Sequence, residues 1–260
     1  MNLKKCFGII SGFSDDQKLQ HRRIKHFEAL LHQLSEYWPD VDILVIAQNW
    51  KDYQLPEIKN QIIKASFDKL LGITEARKTL REEFLKRDYD YIIMLDDDAI
   101  LQCDNAEAPK KFIEEIDNHP TGFCIPHSEN HWHHHDSMAR SPLNLFAISR
   151  DLFEKEPMVN VSIEKFEAME DDLYAELIYH KYKDLEFKIP DGLYHTHSYR
   201  YMYLYYMIDQ HISPPTWFRL LQEVPFHQIW HNTNFIIEKG YEVGEFDLEK
   251  LKQHEKWHTN

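Results

Sequence analysis

The chain carries the sequence DYIIMLDDDAIL at residues 90–101. The run from Tyr91 to Leu95 predicts a short buried strand, and three carboxylates, Asp96 to Asp98, follow it without a break. Ligands of open α/β sheets bind beyond the carboxyl ends of the strands, which is where these acids are expected to lie. Adjacent carboxylates repel one another, and a divalent cation that also holds phosphates would offset that repulsion. We therefore predict a ligand site at the acids, with a solvated acidic turn as the simpler alternative.

The sequence around this stretch alternates short apolar runs with amphipathic segments, which is typical of an α/β protein. The predicted strands of the first half are residues 6–12, 41–47, 62–66 and 91–95. Apolar residues at helical spacing predict one helix around Phe27 and Leu31 and another around Ala76 and Leu80. This order predicts a mostly parallel sheet that is covered by helices.

The second half of the domain is predicted to continue in the same way. The predicted helices there are residues 107–118, 150–156 and 171–183, and the predicted strands are residues 122–126, 143–149 and 185–189. We see neither an internal repeat nor a low-complexity linker, so one domain is predicted up to about residue 198. Residues 199–260 are rich in aromatic side chains and are predicted to form a helical extension. That extension either packs on the domain or makes a contact with a second copy or a membrane.

Composition and charge exclude several classes of function. The 260 residues have a formal net charge of −14 and no visible basic stripe, which disfavours nucleic-acid binding. Cys6, Cys103 and Cys124 are too widely spaced for a disulfide framework or a CxxC metal site, which favours a reducing compartment. No segment approaches the roughly 20 apolar residues of a transmembrane helix, and residues 1–13 lack the pattern of a signal peptide. We therefore expect a cytoplasmic protein that acts in solution or at the inner face of the membrane.

Three polar clusters lie beside predicted strand or helix ends. They are Asp96–Asp98, Glu170–Asp172 and the pair His195 and His197. Strand ends that meet at one edge of a sheet build composite sites from such clusters. Carboxylate oxygens with one imidazole suit Mn2+ or Mg2+ better than a structural zinc site, which favours thiolates.

Four segments in the same order resemble the GT-A glycosyltransferases, closest to the inverting family-2 enzymes and the β-1,4-galactosyltransferases. The segments are FDKLLG at 67–72 leading into Ala76-Arg77-Lys78, DYIIMLDDD at 90–98, LFAISRDLF at 145–153 followed by Glu170-Asp171-Asp172, and His197-Ser198. Together they cover roughly residues 5–198. The resemblance implies a GT-A, Rossmann-like fold for residues 1–198, with a mixed, mostly parallel sheet flanked by helices.

The resemblance also implies roles for the clustered residues. Asp98, the last acid of the DxD motif, is expected to bind the metal, and Asp96 to hold the ribose or a metal-bound water. His197 would be a second protein ligand, with His195 as the alternative. The metal, Mn2+ or Mg2+, would stabilise the diphosphate that leaves when the glycosidic bond forms.

An inverting transfer also needs a base that takes the proton from the acceptor hydroxyl. By the resemblance this base is Asp171, and Glu170 would hydrogen-bond the sugar or the acceptor. Asp172 either faces the acceptor or only caps the helix. Acids at a helix N-terminus are also favoured by the helix dipole, so a purely structural role for the three remains an alternative.

The remaining site assignments concern the nucleotide and the acceptor. Ser11 and Gly12 end the first strand, where the GT-A fold seats the uracil, and Arg77 is expected to reach the nucleotide or else to lie on a solvated helix face. The histidine-rich stretch at 127–136 lacks the HExxH spacing of a zinc site. We interpret it as an acceptor-side loop in which Trp132 stacks on a sugar face.

The sequence thus predicts a metal-dependent inverting hexosyltransferase. Its donor would be a UDP-sugar such as UDP-galactose, and its acceptor a glycan or a lipid-linked saccharide of a surface polysaccharide. Two departures from the resembled families leave the donor sugar open, namely Gln48-Asn49-Trp50 after the second strand and residues 165–169 before the second acid cluster. A metal-dependent phosphohydrolase or nucleotidyltransferase and a non-catalytic sugar-nucleotide-binding module are the alternatives.

Overall fold

The computed structural model describes residues 2–13, 17–126, 145–156 and 170–197. The predicted extension at 199–260, the domain boundary at residue 198 and the predicted acceptor loop with Trp132 lie outside these described residues. Within the described part of the chain, no helix has the length and apolar character that a membrane span requires.

The described chain folds into two sheets and five helices. The strands are β1 Lys5–Gly12, β2 Asp42–Gln48, β3 Ile62–Phe67, β4 Tyr91–Asp96, β5 Ala99–Cys103, β6 Phe123–Cys124, β7 Phe146–Ser149 and β8 Leu193–His197. The helices are α1 Gln17–Tyr37, α2 Ile73–Leu85, α3 Glu107–Asn118, α4 Arg150–Lys155 and α5 Glu170–Tyr182.

The larger sheet is mixed and mostly parallel, as the sequence predicts. Its six strands follow the order β3-β2-β1-β4-β7-β6. The first four of these run parallel to one another, and β7 runs antiparallel to both β4 and β6. Helices α1 and α2 make the crossovers that parallel strands require, so the carboxyl ends of β1, β2, β3 and β4 meet at one edge.

Apolar side chains cover both faces of this sheet. On one face Phe7, Val45 and Ile93 pack with α1 and α3, and on the other Leu44 and Ile92 pack with α2, α4 and α5. Strands that are buried on both faces need apolar residues at consecutive positions. This explains why the central strands are continuous apolar runs in the sequence and do not alternate with polar residues.

Several predicted elements are confirmed and others are wrong. The helix predicted at 107–118 is α3. The strand predicted at 185–189 does not form. A 3-10 turn ends at Leu185, and a single bridge joins Glu186 to Phe123. Phe187 and Ile189 are apolar because they are buried in the core beside the sheet, not because they belong to a ladder. The small sheet of β5 and β8 was not predicted.

Gly8 in β1 shows how closely α2 lies on the sheet. A methyl group built on Gly8 would lie 2.6 Å from Ile92 Cδ1 and 3.1 Å from Leu80 Cδ2, in the buried layer under α2. We expect Gly8→Ala to lower the free energy of unfolding by about 1–3 kcal/mol, the cost of overpacking a core. Urea denaturation measures this change. Gly122→Ala is a second variant with a close contact, because its added methyl would lie 2.8 Å from the Leu185 carbonyl oxygen. A Gly8→Ala midpoint equal to that of the wild type would contradict the prediction.

Candidate functional site

The three acids lie where the small sheet branches from the large one. Asp96 is the last residue of β4, Asp97 and Asp98 form a turn, and β5 begins at Ala99. In the register of the large sheet Asp96 lies beside Ile10. The predicted nucleotide-binding residues Ser11 and Gly12 continue β1 from that point, so the fold brings them to the same edge as the acids.

The first two acids have different arginine neighbours. One oxygen of Asp96 lies 3.7 Å from Nη2 of Arg77, whose side chain on α2 is only 7% exposed. Arg77 was predicted to lie at the nucleotide or on a solvated face, and the structure places it in the buried layer next to Asp96. Asp97 is paired with Arg23 of α1, whose Nε donates to Oδ2 at 3.0 Å and whose Nη2 donates to Oδ1 at 3.1 Å.

Asp97 is a buried charge that the protein itself compensates. Its side chain is 2% exposed, whereas that of Arg23 is 41% exposed. Burial raises the pKa of Asp97, and the Arg23 guanidinium counteracts that rise. The Ser11 hydroxyl also lowers the pKa of Asp97, while the neighbouring Asp98 carboxylate raises it. The Ser11 side chain is fully buried, next to this carboxylate.

The ladder between β5 and β8 brings the histidines to the acids. His197 pairs with Ala99, the residue after Asp98, and His195 pairs with Leu101. The backbone N–H and C=O of Leu101 are bonded to Gln33 on the other side of β5, which makes these odd-numbered positions the non-hydrogen-bonded pairs. Cα atoms in such pairs are about 4.5 Å apart, so the backbone of His197 lies next to the acid turn.

His195 lies two residues before His197 in β8. Its side chain is fully buried, on the face where Ala99, Leu101 and Leu193 join the core. That environment is the core of the domain, whereas His197 is at the end of the strand, where the acid turn begins.

Helix α5 begins with the second acid cluster, Glu170 to Asp172. Tyr174, one turn later, packs edge-on against Phe146 with ring centroids 6.1 Å apart, and Phe146 pairs with Met94 near the end of β4. At the other end of the helix, the Tyr182 hydroxyl donates to the Glu156 carboxylate at 2.6 Å. Glu156 follows α4. The Tyr174 hydroxyl also donates to the Glu156 carbonyl at 3.0 Å, so Tyr174 and Tyr182 both hold α5 against the end of α4.

The segment Gln48-Asn49-Trp50 joins the ends of three strands. Gln48 Oε1 accepts a hydrogen bond of 2.7 Å from the backbone N–H of Leu71, and Asn49 Nδ2 donates to the Phe13 carbonyl at 2.8 Å. Asn49 has a φ of 55°, a left-handed conformation that asparagine tolerates better than most residues. Trp50 stacks on Phe13 with ring centroids 5.4 Å apart. These residues therefore tie the end of β2 to the end of β1 and to the loop before α2.

Gly12 lies under the loop that precedes α2. A side chain there would come within 2.8 Å of Leu70 Cδ2, so the strand end and the loop are in close contact. Leu70 itself is 55% exposed. An exposed apolar side chain thus borders the end of β1, directly beside the predicted uracil position.

The donor set at this edge fits a hard divalent cation. Asp98 supplies carboxylate oxygens and is 7% exposed, and the ladder brings the backbone of a histidine next to it. Within the residues whose side chains are described, no three His, Cys, Asp or Glu side chains form a ready metal cluster. The side chain of His197 is outside that set, so the ligand assignments to Asp98, His197 and His195 remain predictions.

Comparisons with known proteins concern the fold. No family model matches the sequence, and no curated protein matches it. The structure is similar to residues 1–349 of S. aureus TarS, with a TM-score of 0.52 and 12% identity over 79% of this chain and 64% of that one. A longer S. aureus TarS structure gives a TM-score of 0.50 and 12% identity over 79% and 39% of the two chains.

A third structure is that of TarS 1–349 in complex with UDP-GlcNAc, at a TM-score of 0.41 and 11% identity over 66% of this chain and 54% of that one. The chain thus spans less than two thirds of the TarS structures it resembles. At this identity the similarity establishes the fold alone. The described residues share this α/β fold, a mixed, mostly parallel sheet flanked by helices, which confirms the predicted GT-A, Rossmann-like fold class.

Sequence reasoning missed Arg23 and Gln33, two α1 residues whose side chains hydrogen-bond to the acid turn and to β5. The polar face of α1 offers several basic and amide side chains, and helical spacing does not distinguish among them. The only sequence signal was the excess of acids at 96–98, which requires a nearby cation but does not say which one.

Proposed function

We propose that the protein is a metal-dependent inverting glycosyltransferase that moves a hexose from a UDP-sugar, such as UDP-galactose, to a glycan acceptor. The observation that carries this proposal is the β5–β8 register, which sets His197 beside the Asp96–Asp98 turn at the edge where β1 and β4 end. This register brings the backbone of a late histidine next to a strand-end acid motif that is about 100 residues away in sequence.

The donor would bind along the edge formed by the carboxyl ends of the parallel strands. Gly12 and the exposed Leu70 would border the base, and Arg77 beside Asp96 would face the ribose or phosphates. Mn2+ or Mg2+, held by Asp98 with His197 or His195, would neutralise the charge of the departing diphosphate. The UDP-GlcNAc complex of TarS supports a UDP-sugar as the donor class, because that protein shares the fold.

The acceptor would lie at the start of α5. Asp171 in its first turn would take the proton from the acceptor hydroxyl, and Glu170 would hydrogen-bond the sugar or acceptor. Trp132 and Asp172 would hold the acceptor, which we expect to be a growing or lipid-linked surface saccharide. The enzyme would then act in the cytoplasm, where UDP-sugars are made.

A thermal-shift panel tests the donor and metal parts of this proposal. UDP, GDP, CMP and dTDP are added with and without Mn2+, and a ligand that binds only the native state raises the melting temperature. We expect a UDP response that requires Mn2+, worth about 2.7 kcal/mol of stability at a ligand concentration of 100 Kd. Asp98→Ala should abolish the response. Asp88→Ala, at an exposed acid beyond the other end of β4, should keep it.

Two outcomes would contradict the proposal. Absence of any nucleotide response, with or without metal, would remove the assignment of Asp98 and favour a non-catalytic or unrelated site. Release of free sugar and UDP from UDP-galactose at a rate that no saccharide acceptor increases would favour a hydrolase.

A further inference from the structure

Helix α1 contacts both the acid turn and the strand that leads away from it. Near its start Arg23 makes three hydrogen-bond contacts with the Asp97 carboxylate, at 3.0, 3.1 and 3.3 Å. Ten residues later, Gln33 meets the backbone of Leu101. Two side chains of one helix thus hold both the acid turn and β5.

The Gln33 amide takes the place of a neighbouring strand. Its Nε2 donates to the Leu101 carbonyl at 2.8 Å, and its Oε1 accepts from the Leu101 N–H at 3.0 Å. On its other side, β5 pairs with β8. At Leu101, Gln33 thus satisfies the backbone groups of β5 that point away from β8, so β5 is held by α1 on one edge and by β8 on the other.

The Arg23 contact separates the roles of the three acids. The planar guanidinium binds both oxygens of Asp97, which is a geometry that holds a carboxylate in one orientation. Because Asp97 and Asp98 form one two-residue turn, fixing Asp97 also restricts the backbone that presents Asp98. Asp97 therefore belongs to the support of the site and not to its ligand set.

We propose that Arg23 and Gln33 are positioning residues that hold the acid turn and the β5–β8 ribbon as one unit, and so set the affinity of the site for Mn2+ and UDP. This inference rests on the function proposed above. It assigns Asp97 a supporting role, and it places the determinants of metal affinity partly on a helix that carries none of the predicted ligands.

The test measures metal affinity and folding stability separately. Mn2+ binding in the presence of UDP is followed by the electron paramagnetic resonance signal of free Mn2+, and melting is followed in EDTA. The variants are Arg23→Met, Gln33→Met and the double variant Arg23→Met/Asp97→Asn, which removes the buried charge together with its partner. Loss of groups that orient metal ligands typically weakens metal affinity about 10–100-fold, and we expect this for Arg23→Met.

The double variant distinguishes positioning from stability. We expect it to melt closer to the wild type than Arg23→Met does, because no unpaired carboxylate remains, while its Mn2+ affinity stays at least about tenfold weaker. Arg81→Met is the matched control. The Arg81→Met variant also loses two hydrogen bonds, which Arg81 makes to the Phe153 and Glu154 carbonyls at the far end of α4. The Mn2+ affinity of this variant should equal that of the wild type.

The possible results separate this inference from the proposed function. Wild-type protein that binds no Mn2+ with UDP would overturn the proposed function and, with it, this inference. Wild-type binding together with affinities within twofold in Arg23→Met, Gln33→Met and the double variant would overturn the inference alone. A loss in Arg81→Met as large as that in Arg23→Met would also overturn it, because the effect would then follow stability.

Discussion

Asp171→Asn is expected to lower kcat by about 10²–10⁴-fold, the usual contribution of a positioned general base. The amide has the shape of the carboxylate and occupies the same first turn of α5, but it does not accept a proton at neutral pH. Binding of the donor with Mn2+ should stay within a few-fold of the wild type, because the base acts on the acceptor hydroxyl. Initial rates of UDP release with nitrophenyl glycoside acceptors measure kcat, and the thermal shift with UDP and Mn2+ measures binding.

Glu170→Gln and Asp151→Asn complete this experiment. Glu170 is the neighbouring acid of the same helical turn, and a larger loss of kcat there than at Asp171 would move the base to Glu170. Asp151 lies on α4 in an exposed pair with Lys155, so its variant should keep the wild-type kcat. Unchanged kcat in both Glu170→Gln and Asp171→Asn would contradict a general base in α5 and leave the acids as a helix terminus that is favoured by the dipole.

The central sheet was predictable because its strands are buried on both faces. Continuous apolar runs such as Tyr91–Leu95 mark such strands, and the amphipathic pattern of α1 marks the helix that covers one face. The small sheet was not predictable in the same way. β8 contains two histidines and a threonine, and it pairs with a segment about 90 residues earlier, so no local pattern identifies either strand.

The candidate site shows the same division. The order of motifs along the chain was sufficient to propose that Asp98 and His197 cooperate, and the β5–β8 register brings their backbones together. The support of the site was not visible, because it consists of single side chains that reach across the fold. The Arg23 guanidinium donates hydrogen bonds to Asp97, which is 74 residues later in the sequence, and no spacing rule links the two residues. Apolar character alone was also misleading at Phe187, which fills the core without belonging to a strand.

Arg150 is another such residue, and Arg150→Met should lower the free energy of unfolding by about 3 kcal/mol. Its Nη1 donates to the carbonyls of Arg87 at 2.7 Å and Tyr89 at 3.1 Å, and its Nη2 donates to that of Leu85 at 2.5 Å. These carbonyls end α2 and continue the connection to β4. One hydrogen bond from a charged donor contributes about 1.5–3 kcal/mol. The total for the three bonds is expected to be smaller than their sum, because Arg150 is half-buried and water can solvate some of these carbonyls when the arginine is removed. Urea denaturation, followed by circular dichroism, measures the change.

Lys155→Met provides the control on the same helix. Lys155 forms an exposed pair with Asp151 at 2.7 Å, and such pairs contribute at most about 1 kcal/mol. The loss of unfolding free energy in Arg150→Lys should lie between the losses in Lys155→Met and Arg150→Met. A single ammonium keeps the charge but cannot reach three carbonyls in the fixed geometry of a guanidinium. An Arg150→Met protein as stable as Lys155→Met would show that these carbonyls are equally well solvated by water. The end of α2 would then depend on apolar packing of Phe84 and not on the arginine that crosses to it.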